Sequence, residues 1–122
     1  LAREAARPVE GMNGGKGTVF YRRALGPGVF HTNWAYVDYY LLPPGASIGR
    51  HVHDGVEEVY LVISGEGATQ VNGEVAPLKK GDALPVRAKD VHSFVNAGSA
   101  DLEFVVYGVA LSKGKLDIAD AN

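Results

Sequence analysis

Two of the four histidines in this chain of 122 residues stand together as His51-Val52-His53, with acids close behind at Asp54, Glu57 and Glu58. Along a strand, positions i and i+2 share a face, so the two imidazoles point the same way and lie near enough to share one ion. His92, 39 positions after His53, opens another expected strand and offers a third imidazole. Imidazole with carboxylate is a donor set for divalent first-row transition metals. The plainer alternative is a pair of histidines on an exposed strand edge with no task. The fourth, His31, lies between Gly28 and Trp34 and reads as a surface or interface residue.

The elements that must position these side chains are strands. Short apolar or alternating runs recur at 18–22, 35–42, 58–63, 68–71, 83–86, 92–95 and 102–109, rich in Val, Ile, Tyr and Phe. Between them lie breaks with a mechanism: Pro43-Pro44-Gly45, Gly81-Asp82, Asn96-Ala97-Gly98 and Asn72-Gly73. The last is a two-residue hairpin signal, because both positions tolerate positive φ. No segment carries a sustained 3.6-residue period; 2–6 and 116–121 are each expected to form a helical turn or fray. This pattern predicts one all-β domain, a barrel or sandwich.

Composition narrows the function classes. Hydrophobic residues make up 46% and charged residues 21%, with a formal net charge of -2, which disfavours a surface built for phosphate backbones and so nucleic acid as partner. There is no cysteine, hence no disulfide, thiolate metal site or cysteine nucleophile. No apolar run approaches the roughly 20 residues of a membrane span, and no secretory leader is evident, so the expectation is a cytoplasmic protein with no membrane partner. The glycine-rich stretch at 11–17 lacks the pattern and the strand-to-helix context of a phosphate loop.

The stretch 45–65, GASIGRHVHDGVEEVYLVISG, resembles the first motif of the cupin superfamily, with Gly45, His51, His53, Glu58 and Gly65 in its places. The stretch 81–96, GDALPVRAKDVHSFVN, is similar to the second, with Gly81, His92 and Asn96 in register after a 15-residue spacer. One departure is that Arg87-Ala88-Lys89 replaces the usual Pro-x-Gly, which puts the turn before His92 in question. The resemblance implies a small double-stranded β-helix (a jelly-roll barrel) at 35–111, preceded by an arm and first strands at 1–34 and followed by a mobile tail at 112–122. It also implies one divalent ion (Fe, Mn, Zn, Ni, Co or Cu) held by His51, His53, Glu58 and His92. Glu57 competes for the fourth place; the six residues separating Glu58 from Gly65 favour Glu58. Asn96 and the three motif glycines read as structural.

The resemblance further implies a small-molecule ligand and, by default, a homodimer. Tyr60, Phe94, Tyr36 and Gln70 are candidate substrate contacts, and Tyr60 and Glu57 the weak catalytic candidates. Alternation places Tyr36, Asp38 and Tyr40 on one face of their strand and Val37 and Tyr39 on the other, without saying which faces in. Arg22, Arg23, Arg50 and Arg87 are candidate anion contacts, Arg50 weakened by pointing away from His51. The expected function is metal-dependent action on a small oxygenated molecule, with the ion as Lewis acid: isomerase, epimerase, cyclase or lyase chemistry, or dioxygenase chemistry with iron. The alternative is a non-catalytic metal-containing module that binds a sugar or other small ligand.

Overall fold

The computed structural model describes residues 3–112 and the backbone of a strand at Ile118–Asp120. The strands are β1 (Arg7–Glu10), β2 (Thr18–Leu25), β3 (Trp34–Leu42), β4 (Ser47–His53), β5 (Val56–Ser64), β6 (Glu66–Val71), β7 (Glu74–Lys79), β8 (Ala83–Val86), β9 (His92–Val95), β10 (Leu102–Ala110) and β11 (Ile118–Asp120). They build a six-stranded sheet, β1-β2-β3-β10-β5-β8, and a five-stranded sheet, β11-β4-β9-β6-β7, in which every pair is antiparallel. The chain is all-β, and the two sheets form the double-stranded β-helix that the motifs implied. No helix is long and apolar enough to cross a membrane among the described residues.

All seven expected runs are strands. The sequence reading omitted β1 and β7 and expected a helical turn where β11 pairs with β4. Pro8 and Pro77 explain the first two omissions, since a proline weakens a strand signal while an edge strand tolerates it. The expected tail from Ser112 otherwise falls on 113–117 and 121–122, outside the described residues. At the N-terminus, Arg3–Ala5 forms a single 3-10 turn.

Turn chemistry sets the register. Asn72 (φ 50°) and Gly73 (φ 87°) both take the left-handed conformation of a tight hairpin, which aligns Val71 with Glu74 and fixes β6 against β7. Gly45, Gly65 and Gly81 also lie at positive φ. Asn96 is fully buried. Its Nδ2 donates to the carbonyls of Leu42 and Ala100, both at 2.8 Å, and its Oδ1 accepts from the Gly98 amide at 2.9 Å, so it ties the end of β9 to β3 and to the loop before β10.

The inward faces meet in an aromatic core. Phe94 packs on Tyr60 and Phe104 with ring centroids 4.4 and 5.1 Å apart, and Tyr40 stacks on Phe104 at 5.2 Å. This core closes one side of the histidine cluster.

The turn that stands in place of Pro-x-Gly carries backbone strain at one residue. Lys89 sits at φ 71°, a conformation that suits glycine. It is held there because its amide donates to the His53 carbonyl at 2.6 Å, while the Asp90 carboxylate accepts from the Arg87 amide at 2.8 Å and from Asn72 Nδ2 at 2.9 Å. Relief of the left-handed strain exceeds the added freedom of the unfolded chain, so Lys89→Gly is expected to raise stability by about 0.5–1 kcal/mol in urea unfolding. A loss of stability in that variant would show that the turn is unstrained.

Candidate metal centre

Two neighbouring strands bring the imidazoles together. His51 and His53 project inward from β4, and His92 at the start of β9 is the direct cross-strand partner of His51. A register shift between Ile48 and His51 matters here: it keeps Ile48 in the core and still turns both histidines inward, while Arg50 is exposed. The ring centroids are 4.0 Å apart for His51 and His92, 5.2 Å for His51 and His53, and 5.1 Å for His53 and His92. One ligand nitrogen from each ring lies within 4.8 Å of the others. All three rings are buried, His92 completely.

Backbone carbonyls orient two of them. His51 Nδ1 lies 2.8 Å from the Gly49 carbonyl and His92 Nδ1 lies 3.0 Å from that of Asp90. A ring N–H donated to a carbonyl fixes the tautomer and leaves the Nε2 lone pair for the centre of the cluster. His53 is different. Neither ring nitrogen has a hydrogen-bond partner although both are buried, and Nε2 meets Glu58 Oε1 at 2.8 Å outside hydrogen-bond geometry. A buried polar atom left without a partner is costly, and an ion bound at Nε2 would satisfy one of the two. The donors present therefore fit a divalent transition metal.

Glu58 reaches the same centre from β5, and Glu57 is exposed on the opposite face of that strand. The Glu58 carboxylate is held from three sides. Tyr36 donates to Oε2 at 2.5 Å, Tyr60 donates to Oε1 at 2.7 Å, and His92 Nε2 lies 3.5 Å from Oε1. The Tyr60 hydroxyl also lies 3.1 Å from His92 Nε2; its one proton goes to Glu58. Burial works against the Glu58 charge, but the contacts with His53, His92 and Tyr36 outweigh it and hold the carboxyl well below the usual range. Burial and the Glu58 charge push both tyrosine hydroxyls far above the ordinary phenol value, so they stay protonated donors. Burial, reinforced by His92, lowers His51 to about 4, which keeps it neutral and fit to ligate at neutral pH.

Behind Tyr36 lies an ion pair that sequence reasoning missed. Arg23 grips buried Asp38 through Nε at 3.0 Å and Nη2 at 3.1 Å, Tyr21 donates to the same carboxylate at 3.3 Å, and the guanidinium lies 4.4 Å over the Tyr36 ring. Arg23 and Asp38 are direct cross-strand partners, a relation visible only once β2 and β3 are aligned. Gly108, opposite Tyr36 on β10, makes room for its ring: a Cβ there would stand 2.4 Å from Cζ.

Of the candidate contacts, Tyr60, Tyr36 and Phe94 all line the interior, with Phe94 6.0 Å from His92 between ring centroids. The inward set on β3 is Tyr36, Asp38 and Tyr40. Gln70 is not brought to the cluster: it lies on the outer face of β6, where its Nε2 donates to the Gly73 carbonyl at 3.4 Å and the neighbouring Thr69 is buried. Arg23, expected as an anion contact, is occupied by Asp38. His31 is exposed.

Comparison with protein families matches residues 38–108 to the family described as Cupin domain. The chain is a cupin. Among curated proteins it is similar to the oxalate-binding protein of Thermotoga maritima, 36% identical over 103 residues that cover 84% of this chain and 85% of that one. Among solved structures, a predicted oxalate decarboxylase from Thermotoga maritima superposes with a TM-score of 0.83 at 34% identity, over 91% of this cupin and 98% of that chain. A conserved Klebsiella pneumoniae protein with a double-stranded β-helix domain does so with a TM-score of 0.66 at 31% identity, covering 93% and 91%. A polyketide cyclase from Streptomyces resistomycificus has a TM-score of 0.72 at 16% identity, covering 100% and 84%, a likeness of fold alone.

The lowered His51 value has a consequence for stability. In the folded metal-free protein His51 takes its proton near pH 4, against 6.5 ordinarily. Between those values the unfolded chain binds more protons, so stability rises with pH. The melting temperature of the metal-free cupin is therefore expected to fall as pH drops from about 6.5 to about 4. His51→Asn, which keeps a donor for the Gly49 carbonyl, should flatten that slope. An unchanged slope in the variant would assign the effect elsewhere.

Proposed function

We propose that this cupin holds one divalent first-row metal through His51, His53, His92 and Glu58 and binds a small, oxygen-rich anion of the oxalate class at the positions left open. The single observation that carries the reading is His53, a buried imidazole with no hydrogen-bond partner, facing the Nε2 lone pairs of its two neighbours and the Glu58 carboxylate. The oxalate-binding relative supports the ligand class. Three neutral imidazoles and one carboxylate leave a divalent ion with a net charge of +1, which favours an anionic chelate. When bound, such an ion supplies Lewis acidity and a charge anchor for two ligand oxygens.

The chain's own residues define what else the site does. Tyr36 and Tyr60 occupy both Glu58 oxygens as donors, so the carboxylate is turned to a fixed angle. The aromatic ring of Phe94 and the core behind it keep water from the inner side of the cluster. No side chain beside the cluster, among the described residues, is poised as a free general base: Glu58 is held anionic and both tyrosines are held protonated. We therefore favour metal-dependent binding. Lewis-acid turnover of the same ligand is the second reading, favoured by the likeness to a predicted oxalate decarboxylase. A homodimer in the cytoplasm completes the proposal.

Titration of metal-free protein with Mn(II) or Co(II), followed by oxalate and by assay for formate and carbon dioxide, tests it. Oxalate should bind only after metal. His51→Ala, His53→Ala, His92→Ala and Glu58→Ala should each weaken metal binding by about 10-fold or more, and Glu57→Ala should leave it near wild type. Consumption of oxalate would select the enzymatic reading. Oxalate binding of equal strength without metal, or loss of metal from Glu57→Ala but not Glu58→Ala, would contradict the site.

A further inference from the structure

Asn72 makes more contacts than its hairpin requires. Both residues of that turn take the left-handed conformation, which glycine adopts as readily as asparagine, so the hairpin alone does not call for this side chain. What the side chain touches is the turn that precedes His92. Val71, the last residue of β6, is the direct cross-strand partner of His92. One residue further on, Asn72 grips that turn three times. Its backbone amide donates to the Val91 carbonyl at 2.8 Å, its Oδ1 accepts from the Val91 amide at 2.9 Å, and its Nδ2 donates to Asp90 Oδ1 at 2.9 Å.

The turn at 87–90 has no proline to fix φ and no glycine at its left-handed position, where Lys89 stands. Asp90 closes it from within: its amide donates to the Arg87 carbonyl at 3.1 Å, and its Oδ2 accepts from the Arg87 amide at 2.8 Å. Asn72 holds the other oxygen of the same carboxylate. The Asp90 carbonyl in turn lies 3.0 Å from His92 Nδ1 and accepts its proton. That carbonyl and the Val91 amide belong to one planar peptide unit, so a side chain that holds the amide also aims the carbonyl. A continuous set of bonds therefore runs from Asn72 through the 90–91 peptide to the ring of His92.

We propose that Asn72 is a positioning residue for the metal centre: by holding the 90–91 peptide it aims the Asp90 carbonyl, which fixes the ring and the tautomer of His92. The chemistry calls for asparagine. Its amide offers an acceptor to Val91 and a donor to Asp90 from one short side chain, on a backbone that tolerates the left-handed conformation. Glycine would keep the conformation and offer neither group. Aspartate would set a second carboxylate against that of Asp90. The inference rests on the proposed reading of His92 as a metal ligand, but the orientation of the ring can be followed without metal.

Proton NMR of the full chain in its metal-free form, with the histidine rings labelled by heavy nitrogen, tests it through the ring N–H groups. The wild type should show slowly exchanging Nδ1 protons on His51 and His92. Asn72→Gly should speed exchange of the His92 proton by about 10-fold and leave that of His51 unchanged. It should also weaken Co(II) binding by about 10-fold. Interchanging the two polar groups supplies a second arm. Asn72→Asp sets two carboxylates together and Asp90→Asn two amides, so each should speed exchange of the His92 proton by about 5-fold. The double variant again faces a donor with an acceptor, and should return that proton and the Co(II) affinity to within about 2-fold of wild type. If circular dichroism shows that Asn72→Gly does not fold, the interchange answers alone. A His92 proton that Asn72→Gly leaves unchanged, an equal loss at His51, or a folded double variant no better than its parents would overturn the proposal. A wild type that takes up no Co(II), with the His92 proton still responding to Asn72→Gly, would refute the metal reading and uphold the positioning of the ring.

Discussion

A carboxylate and three imidazoles face one another at the end of an aromatic core, where water does not solvate them. That constraint organises the structure. A buried carboxylate keeps its charge only if donors surround it, and Glu58 has Tyr36 and Tyr60 as donors, with His53 and His92 close by. A buried neutral imidazole needs a partner for each nitrogen. His51 and His92 spend one on backbone carbonyls and turn the other inward, while His53 has a partner for neither. A cation taking the inward lone pairs would satisfy Nε2 of His53, one of its two unpartnered nitrogens.

The strands that hold the cluster are shaped by the same requirement. β4 needs a register shift to keep Ile48 in the core and both histidines inward. β9 needs the turn at 87–90, which this chain builds with Lys89 in a left-handed conformation, locked by the His53 carbonyl and the Asp90 carboxylate. The turn that presents His92 is thus tied by a backbone bond to His53. Tyr36 needs the space left by Gly108 and rests under Arg23, whose charge Asp38 neutralises. Support for the site extends across β2, β3, β5 and β10, beyond the two strands that carry the histidines.

Much of this was legible in the chain, for reasons that can be named. The period of two along a strand made His51 and His53 neighbours, and the distance from Glu58 to Gly65 separated it from Glu57; the structure buries one and exposes the other. Asn72-Gly73 announced its hairpin through backbone sterics alone. Other features depend on pairing, which local pattern does not carry. Arg23 and Asp38 lie 15 residues apart and meet only through the register of β2 and β3. Gln70 needed an anchor to say which face of β6 turns in. β3 gave no answer about its inward face because both of its faces are apolar. β4 was detectable only through its histidines, since Gly49 and Arg50 interrupt its apolar pattern.

X-ray absorption at the metal edge of the loaded cupin tests the central claim most directly. The account predicts a first shell with three imidazole nitrogens and at least one carboxylate oxygen at about 2.0–2.2 Å, with the multiple-scattering signature of histidine. His53→Ala should lower the imidazole count by one. A first shell of oxygen alone, or one that His53→Ala leaves unchanged, would contradict it.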